Sequence, residues 1–197
     1  MRLIIAILAG KLIWFVSRFL RIGGGSAAPG LYALKIDPDL VKKLSRKIPR
    51  NIVITGTNGK TTTARILAHL AKESGLKVIR NSTGSNLERG IASTLVSHFP
   101  LQISHISPPT SHFQLAICEL DEAAFNNVVP KLKPDIVIFL NVFRDQLDRY
   151  GEVDTVVKKW GEALTKLPKE TIVLVNGDDA NTSKLKSSFK GKVETFG

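Results

Sequence analysis

Lys60 and Thr61 close the segment Thr55-Gly-Thr-Asn-Gly-Lys-Thr-Thr62, where two glycines precede an ammonium and a pair of hydroxyls. Those residue types in that order suit a polyphosphate. Glycines let the backbone come close, the lysine reaches outer phosphates, and the hydroxyl that follows it is placed to coordinate Mg²⁺. A short apolar run, Ile52-Val53-Ile54, enters the loop, and a helical pattern from Ala64 to Ala71 leaves it. Strand, glycine turn and helix start together aim backbone N–H groups and the positive end of a helix dipole at one anion. A Gly-x-x-Gly-Lys-Ser/Thr match in a chain this long arises by chance at about the one-per-cent level. The expected nucleotide-binding residues are therefore Thr57, Asn58, Gly59, Lys60, Thr61 and Thr62. Only Thr57 and Asn58 separate Gly56 from Gly59, so the loop is shorter than the common phosphate loop, which has four residues there.

A metal beside such a loop needs a second oxygen ligand from the protein. Glu119 ends another apolar run (Leu115-Ala-Ile-Cys118), and glutamate is neither a favoured cap nor a turn residue. Glu119 is thus expected to hold Mg²⁺ with Thr61, directly or through water. Two more apolar runs end at Asn141, followed by Asp145 and Asp148, and at Asn176, followed by Asp178 and Asp179. Turn and capping chemistry accounts for Asp121, Asp154, Asp178 and Asp179.

The elements that must position these groups alternate. Strands are expected at 51–55, 77–80, 114–118, 135–140 and 171–175, with helices at 61–74, 87–97, 121–128, 153–166 and 180–188. The alternation indicates an α/β domain with a mostly parallel sheet and flanking helices, whose ligand lies at the carboxyl ends of the strands. His98, His105 and His112 recur every seven residues, but Pro100, Pro108 and Pro109 prevent one helix from carrying all three. Residues 98–113 read as an exposed loop.

The chain's 197 residues fit one domain with a sizeable core. A single cysteine, Cys118, excludes an internal disulfide and a multi-cysteine zinc site, and its apolar neighbours suit a buried side chain. Of the net charge of +11, residues 1–50 carry +8 (ten Lys/Arg against two Asp), and the remainder carries +3. The body is nearly balanced, which argues against nucleic acid as its partner, while the basic amino-terminal part suits a local anionic partner such as a lipid surface.

Residues 1–22 read as an apolar-basic helix. Eighteen residues from Leu3 to Leu20 reach about 27 Å, near the hydrocarbon thickness, but Lys11 at mid-span costs about 3 kcal/mol on insertion scales. An interfacial helix, or one packed on the body with its basic stripe outward, fits better. A secretory signal is the rival, because Ser26-Ala27-Ala28 resembles a cleavage site. Residues 23–50 read as a glycine hinge (Gly23 to Ser26) and a short basic helix, Asp39 to Lys47, started by Asp37-Pro38; 51–197 form the nucleotide-binding body.

Thr55 to Thr62 resembles the ATP loop of the Mur ligase superfamily. The likeness extends to Asn81-Ser-Thr-Gly-Ser-Asn-Leu-Glu-Arg-Gly90, to Glu119-Leu-Asp-Glu-Ala123 and to Asn141-Val-Phe-Arg-Asp-Gln-Leu-Asp-Arg-Tyr-Gly-Glu152. These segments are most similar to the MurT subunits of lipid II isoglutaminyl synthase; most other Mur-type ligases have His where Gln146 stands. The resemblance implies a P-loop Mur ligase central-domain fold and an ATP- and Mg²⁺-dependent ligase of peptidoglycan biosynthesis. It implies activation of the D-glutamate α-carboxylate of lipid II as an acyl phosphate, then amidation by ammonia from a GatD-type glutamine amidotransferase subunit. It implies a cytoplasmic protein, peripheral at the inner face of the plasma membrane. On the matching positions, Lys60 and Glu119 would act in catalysis, and Asn86, Asn141 and Gln146 would line the phosphate and substrate side. The alternatives are another Mur-type or folylpolyglutamate-type ligase, or a non-catalytic ATP-binding fragment. The family's cysteine-rich zinc ribbon and carboxy-terminal domain have no counterpart in these residues, so weak ATP binding and little amidation are expected of this part alone.

Overall fold

Six parallel strands in the order β2-β3-β1-β4-β5-β6 make one sheet. The strands are β1 Arg50–Thr55, β2 Val78–Arg80, β3 Leu115–Leu120, β4 Ile136–Phe139, β5 Ile172–Asn176 and β6 Lys192–Phe196. The helices between them are α4 Lys60–Glu73, α5 Glu88–His98, α6 Glu122–Leu132, α7 Glu152–Leu164 and the short α8 Ala180–Ser183, which runs on into a 3₁₀ turn. Ahead of the sheet come α1 Arg2–Phe19, α2 Ala28–Ile36 and α3 Leu40–Ser45. The computed structural model describes residues 1–19, 27–81, 86–100, 112–143 and 152–197. The expectations placed on Gly23 to Ser26, His105, Asp145, Gln146 and Asp148 lie outside these residues.

Crossovers between parallel strands are right-handed, so the direction of travel across the sheet decides which face a helix covers. Only the step from β1 to β2 runs towards the β2 edge, and among the described helices α4 alone packs on that face, against Ile54, Ile117 and Ile138. Every other step runs the opposite way, and α5, α6 and α7 pack the other face over Val53, Cys118, Val137 and Val173. The chain therefore diverges to opposite faces beside the carboxyl end of β1, the place where open α/β sheets bind ligands. A tilted aromatic trio, Phe125 of α6, Phe139 of β4 and Trp160 of α7, has ring centroids 5.0–5.9 Å apart. Each pair contributes about 0.5–1.5 kcal/mol beyond its buried area. The Trp160 indole N–H donates to the Glu122 carbonyl, 3.3 Å, which fixes the start of α6 beside the loop after β1.

The α/β class and the five expected strands are observed, with ends shifted by a residue or two. Three features differ from expectation. β6 adds a sixth, mostly exposed edge strand paired in parallel with β5. α2 occupies residues assigned to the approach from the hinge, and its Gly30 N–H donates to the buried Ser93 hydroxyl of α5 at 2.8 Å. α6 continues through Pro130 to Leu132, and α5 includes His98, so the exposed-loop reading fails at its first residue.

α1 packs on α2 and α5 through Ala6, Ile7 and Gly10. Its outward face is the apolar one: Ile5, Leu8, Leu12, Phe15 and Phe19 are exposed, while Lys11 is half-buried. The expectation of a packed helix with its basic stripe outward is corrected accordingly. Ala6, Ile7 and Gly10 form the seam against α2 and α5, and at Gly10 it is tight: a Cβ there would stand 2.6 Å from Val96. Among the described residues no helix is long and apolar enough to cross a membrane.

Candidate functional site: the Lys60 loop and Glu119

Alternation along parallel strands decides which side chains meet above α4's face of the sheet. Val78 and Arg80, Leu115, Ile117 and Glu119, and Ile52 and Ile54 all point that way, because each set is spaced by two. Glu119 is the last of its set, pairs in register with Ile54, and lies under the start of α4. The Thr61 hydroxyl donates to Glu119 Oε2 at 2.6 Å. Arg80 Nη1 donates to Oε1 of the same carboxylate at 3.0 Å. Asn81 fixes the backbone of Glu119 from both sides: its Nδ2 donates to the Glu119 carbonyl at 2.9 Å, and its Oδ1 accepts the Glu119 N–H at 2.8 Å. A buried carboxylate is tolerated only when its oxygens are paired, and both are.

The loop before α4 is shaped by two glycines. Gly56 has φ 142°, and a Cβ there would stand 2.9 Å from the Asn141 carbonyl, so only glycine lets β1 turn this close to the end of β4. Gly59, with φ 85°, is the left-handed residue from which α4 starts. The first helical bond runs from the Thr63 N–H to the Gly59 carbonyl, 2.9 Å, so the amides of residues 59–62 precede the ladder and face the loop's mouth. Lys60 Nζ donates to the carbonyls of Gly56 and Thr57 and lies 3.7 Å from Glu122 Oε2. Thr61 and Thr62 are exposed at this mouth.

Asn141 holds the loop's outer edge. Its Oδ1 accepts from the Asn58 N–H at 2.9 Å, its Nδ2 donates to the Asn58 carbonyl at 3.1 Å, and its own carbonyl accepts from the Thr57 N–H at 3.0 Å. The amides of Thr57 and Asn58 are thus committed to Asn141 rather than open to a ligand. Asn86 sits farther along, with its carbonyl accepting the Asp121 N–H at 2.9 Å and its side chain 3.4 Å from Asp121 Oδ2. Lys60, Thr61, Glu119 and Asn141 converge; Asn86 borders the group through Asp121. Asp121 and Asp179 cap α6 and α8.

Two residues of this site have no role assigned to them from the sequence: Arg80, and Asn81, which only opens one of the family-like segments. Their signal was a polar pair closing the apolar Val78-Ile79, at the end of the shortest strand among the described residues. Cys118, one residue from Glu119, points to the opposite face; burial first, then the charge of Glu119, pushes its thiol up to about 12. It is a packed thiol and takes no part in nucleophilic chemistry. Thr61 and Glu119 offer hard oxygens of the kind Mg²⁺ prefers, and Mg²⁺ usually takes only one or two such groups beside phosphate and water. Among the described residues no cluster of three His, Cys, Asp or Glu side chains could hold a metal by itself. The donor set fits a Mg²⁺ carried in with a polyphosphate.

The Mur ligase middle domain family matches residues 54–197, from the last two residues of β1 to just past β6. The chain belongs to that family. Over 162 residues it is 35% identical to the MurT subunit of the glutamine-hydrolyzing lipid II isoglutaminyl synthase of Staphylococcus aureus, covering 82% of this chain and 34% of that protein. The MurT subunit of Streptococcus pneumoniae is 33% identical over 193 residues, 98% of this chain and 40% of its relative. Solved Mur ligases share the fold. MurF from Acinetobacter baumannii superposes with a TM-score of 0.66 at 18% identity, covering 84% of this chain and 34% of that one. MurF from Thermotoga maritima, solved in complex with ADP, gives 0.64 at 19% identity, over 84% and 36%. This Mur ligase chain spans well under half the length of the relatives it matches. The match places its Lys60 loop, Glu119 and Asn141 inside the family's own segment.

Proposed function

We propose that this Mur ligase chain is the ATP-binding part of an ATP-dependent amide-forming ligase of peptidoglycan biosynthesis. Its substrate is the D-glutamate α-carboxylate of lipid II, and its nitrogen source is ammonia from a GatD-type glutamine amidotransferase subunit. The observation that carries the reading is the Thr61 hydroxyl 2.6 Å from Glu119 at the mouth of the Lys60 loop, in a chain one third identical to MurT subunits.

The chemistry asked of these residues is charge stabilisation on a transferring phosphoryl group. A carboxylate oxygen of the substrate attacks the γ-phosphorus of ATP, ADP leaves, and an acyl phosphate forms. Ammonia then attacks the acyl carbon, phosphate leaves, and a proton is lost to give the amide. Lys60 would exchange the Gly56 and Thr57 carbonyls for phosphate oxygens, and the amides of residues 59–62 would take others. Thr61 and Glu119 would hold Mg²⁺, which neutralises charge on the phosphates when bound. Gly56 and Asn141 shape the loop, and Asn86 and Gln146 are assigned to the substrate side. Because lipid II is a membrane lipid, the reading places the chain at the inner face of the plasma membrane, in the cytoplasm.

A second reading, ligation of an amino acid rather than ammonia, draws on 29% identity over 133 residues to a Caulobacter UDP-N-acetylmuramoylalanine–D-glutamate ligase. The test is a titration of the purified chain with a fluorescent ATP analogue and Mg²⁺, in the parent and in Lys60→Ala. Saturable binding lost in the variant supports the site; equal affinity in both removes it. Mass spectrometry of lipid II incubated with ATP, glutamine and a complex completed by the relatives' remaining domains then separates an amidated stem from an added amino acid.

A further inference from the structure

We propose that the outward face of α1 is a membrane-contact surface on which the protein lies, helix axis parallel to the bilayer, against anionic lipid. Its role in bringing the site to a lipid-borne substrate rests on the reading above; the surface itself rests on α1.

Ile5, Leu8, Leu12, Phe15 and Phe19 follow one another at intervals of three and four and so share one face of the helix. Leu12, Phe15 and Phe19 are 64%, 63% and 78% exposed. Burial does not explain them, because Ala6, Ile7 and Gly10 on the opposite face already make the packing contact with the body. A continuous stripe of large apolar side chains turned to solvent marks a surface that meets something apolar.

The charges around the stripe identify what that is. Lys11 and Arg18 lie on one shoulder of it and Arg2 on the other. No acidic residue occurs before Asp37, and residues 1–50 carry +8 of the chain's +11. An apolar stripe between basic shoulders is the pattern of helices that lie in the headgroup region, with lysine and arginine reaching phosphate. Trp14, partly exposed with the Arg18 guanidinium 5.4 Å over its ring, lies beyond the basic shoulder of Lys11 and Arg18, on the side towards the packed face. A second copy of the chain fits poorly: two-fold pairing of α1 would bring basic shoulders together with no carboxylate on the helix to offset them. The three cations equally oppose insertion across the bilayer, so the helix rests on the surface.

The test uses the whole chain and vesicles of phosphatidylcholine with or without phosphatidylglycerol, read by cosedimentation and by tryptophan emission. The chain's other tryptophan, Trp160, is buried in the core, so a blue shift on adding vesicles reports Trp14. Anionic vesicles are expected to bind the parent. Leu12→Ser/Phe15→Ser should weaken that binding by more than about tenfold, since two large side chains leave the apolar phase. Lys11→Gln/Arg18→Gln should weaken it about tenfold on anionic vesicles, with little change on neutral ones. Both pairs lie outside the α1–body seam, and circular dichroism checks that the fold is kept. Parent protein that ignores anionic vesicles, or vesicle binding indifferent to Leu12→Ser/Phe15→Ser, overturns the proposal. So does a dimer in light scattering that the same double variant dissociates, without vesicle binding. Nucleotide titration of the same samples keeps the two readings apart: vesicle binding without ATP binding leaves this surface standing and removes the ligase reading, and the reverse removes the surface alone.

Discussion

Arg80 and Glu119 meet at 3.0 Å between the edge strand β2 and its neighbour β3, both side chains largely withdrawn from solvent at 17% and 8% exposure. Arg80 pairs in register with Ile117, so its side chain reaches one pleat forward to the carboxylate. The pair gives the Glu119 carboxylate a fixed position before any ligand arrives. Arg80→Ala leaves a buried carboxylate with Thr61 as its remaining side-chain donor among the described residues, at a cost of about 3 kcal/mol. Arg80→Met/Glu119→Gln removes both charges and should recover most of that loss. Urea unfolding of the three proteins measures it; a single variant as stable as the parent would mean that water already solvates Glu119.

On the proposed reading, in which Thr61 and Glu119 hold Mg²⁺, Thr61 separates the metal's share of nucleotide binding from the loop's share. Thr61→Val keeps the shape and removes the hydroxyl that Glu119 accepts from. Affinity for ATP with excess Mg²⁺ is expected to fall about tenfold, while affinity in EDTA changes less than about twofold. Equal losses in both conditions would assign Thr61 to phosphate or to the fold instead. Manganese binding read by electron paramagnetic resonance gives the same answer without turnover.

Asn141 acts on the loop rather than on the ligand, since both ends of its amide are engaged with Asn58. Asn141→Ala should cost about 1–2 kcal/mol, two exchanged hydrogen bonds, and lower the melting temperature by roughly 2–8 °C. Nucleotide affinity should fall about tenfold because the loop loses its outer anchor. Asn141→Asp keeps the acceptor for the Asn58 N–H and loses the donor to its carbonyl. Its stability should lie between the other two, with nucleotide binding weakened further by the added negative charge. A stable Asn141→Ala protein with parental affinity would show that Gly56 and Gly59 hold the loop unaided.

The loop, the start of α4 and the place of Glu119 could be read from the chain because each is local: two glycines, a lysine and an apolar run ended by a carboxylate. Arg80, Asn81 and the bridging role of Asn141 could not, because each depends on strand order. Nothing within Val78–Arg80 says that β3 lies next to it, or that Asn141 ends up beside Asn58. α2 escaped notice for a related reason. A nine-residue helix is marginal alone, and this one stands on its packing against α1 and α5. β6 is a mostly exposed edge strand, so it lacks the apolar run that marked the other five. The outward apolar face of α1 was hidden by composition. The helical wheel locates its cations, but only the contact with α2 and α5 says which side is left bare.

Cys118 provides a pH-dependent signature of the sheet beneath the site. Burial, reinforced by the charge of Glu119, moves its thiol from an ordinary value near 9.0 to about 12 in the folded protein. Between those values the unfolded chain has lost the proton that the folded chain keeps. Stability from this group is therefore complete below about pH 9 and declines as pH rises towards 12. Cys118→Val, of similar volume and without a proton to lose, should give a flatter stability curve over that window. The difference between the two proteins isolates this thiol from the many lysines that titrate there. The same burial predicts that a disulfide reagent modifies no thiol in the native protein at mildly alkaline pH and one in denaturant. Rapid modification of the native chain would place Cys118 in contact with water, and β3 could not then be the closed inner strand on which Glu119 is mounted.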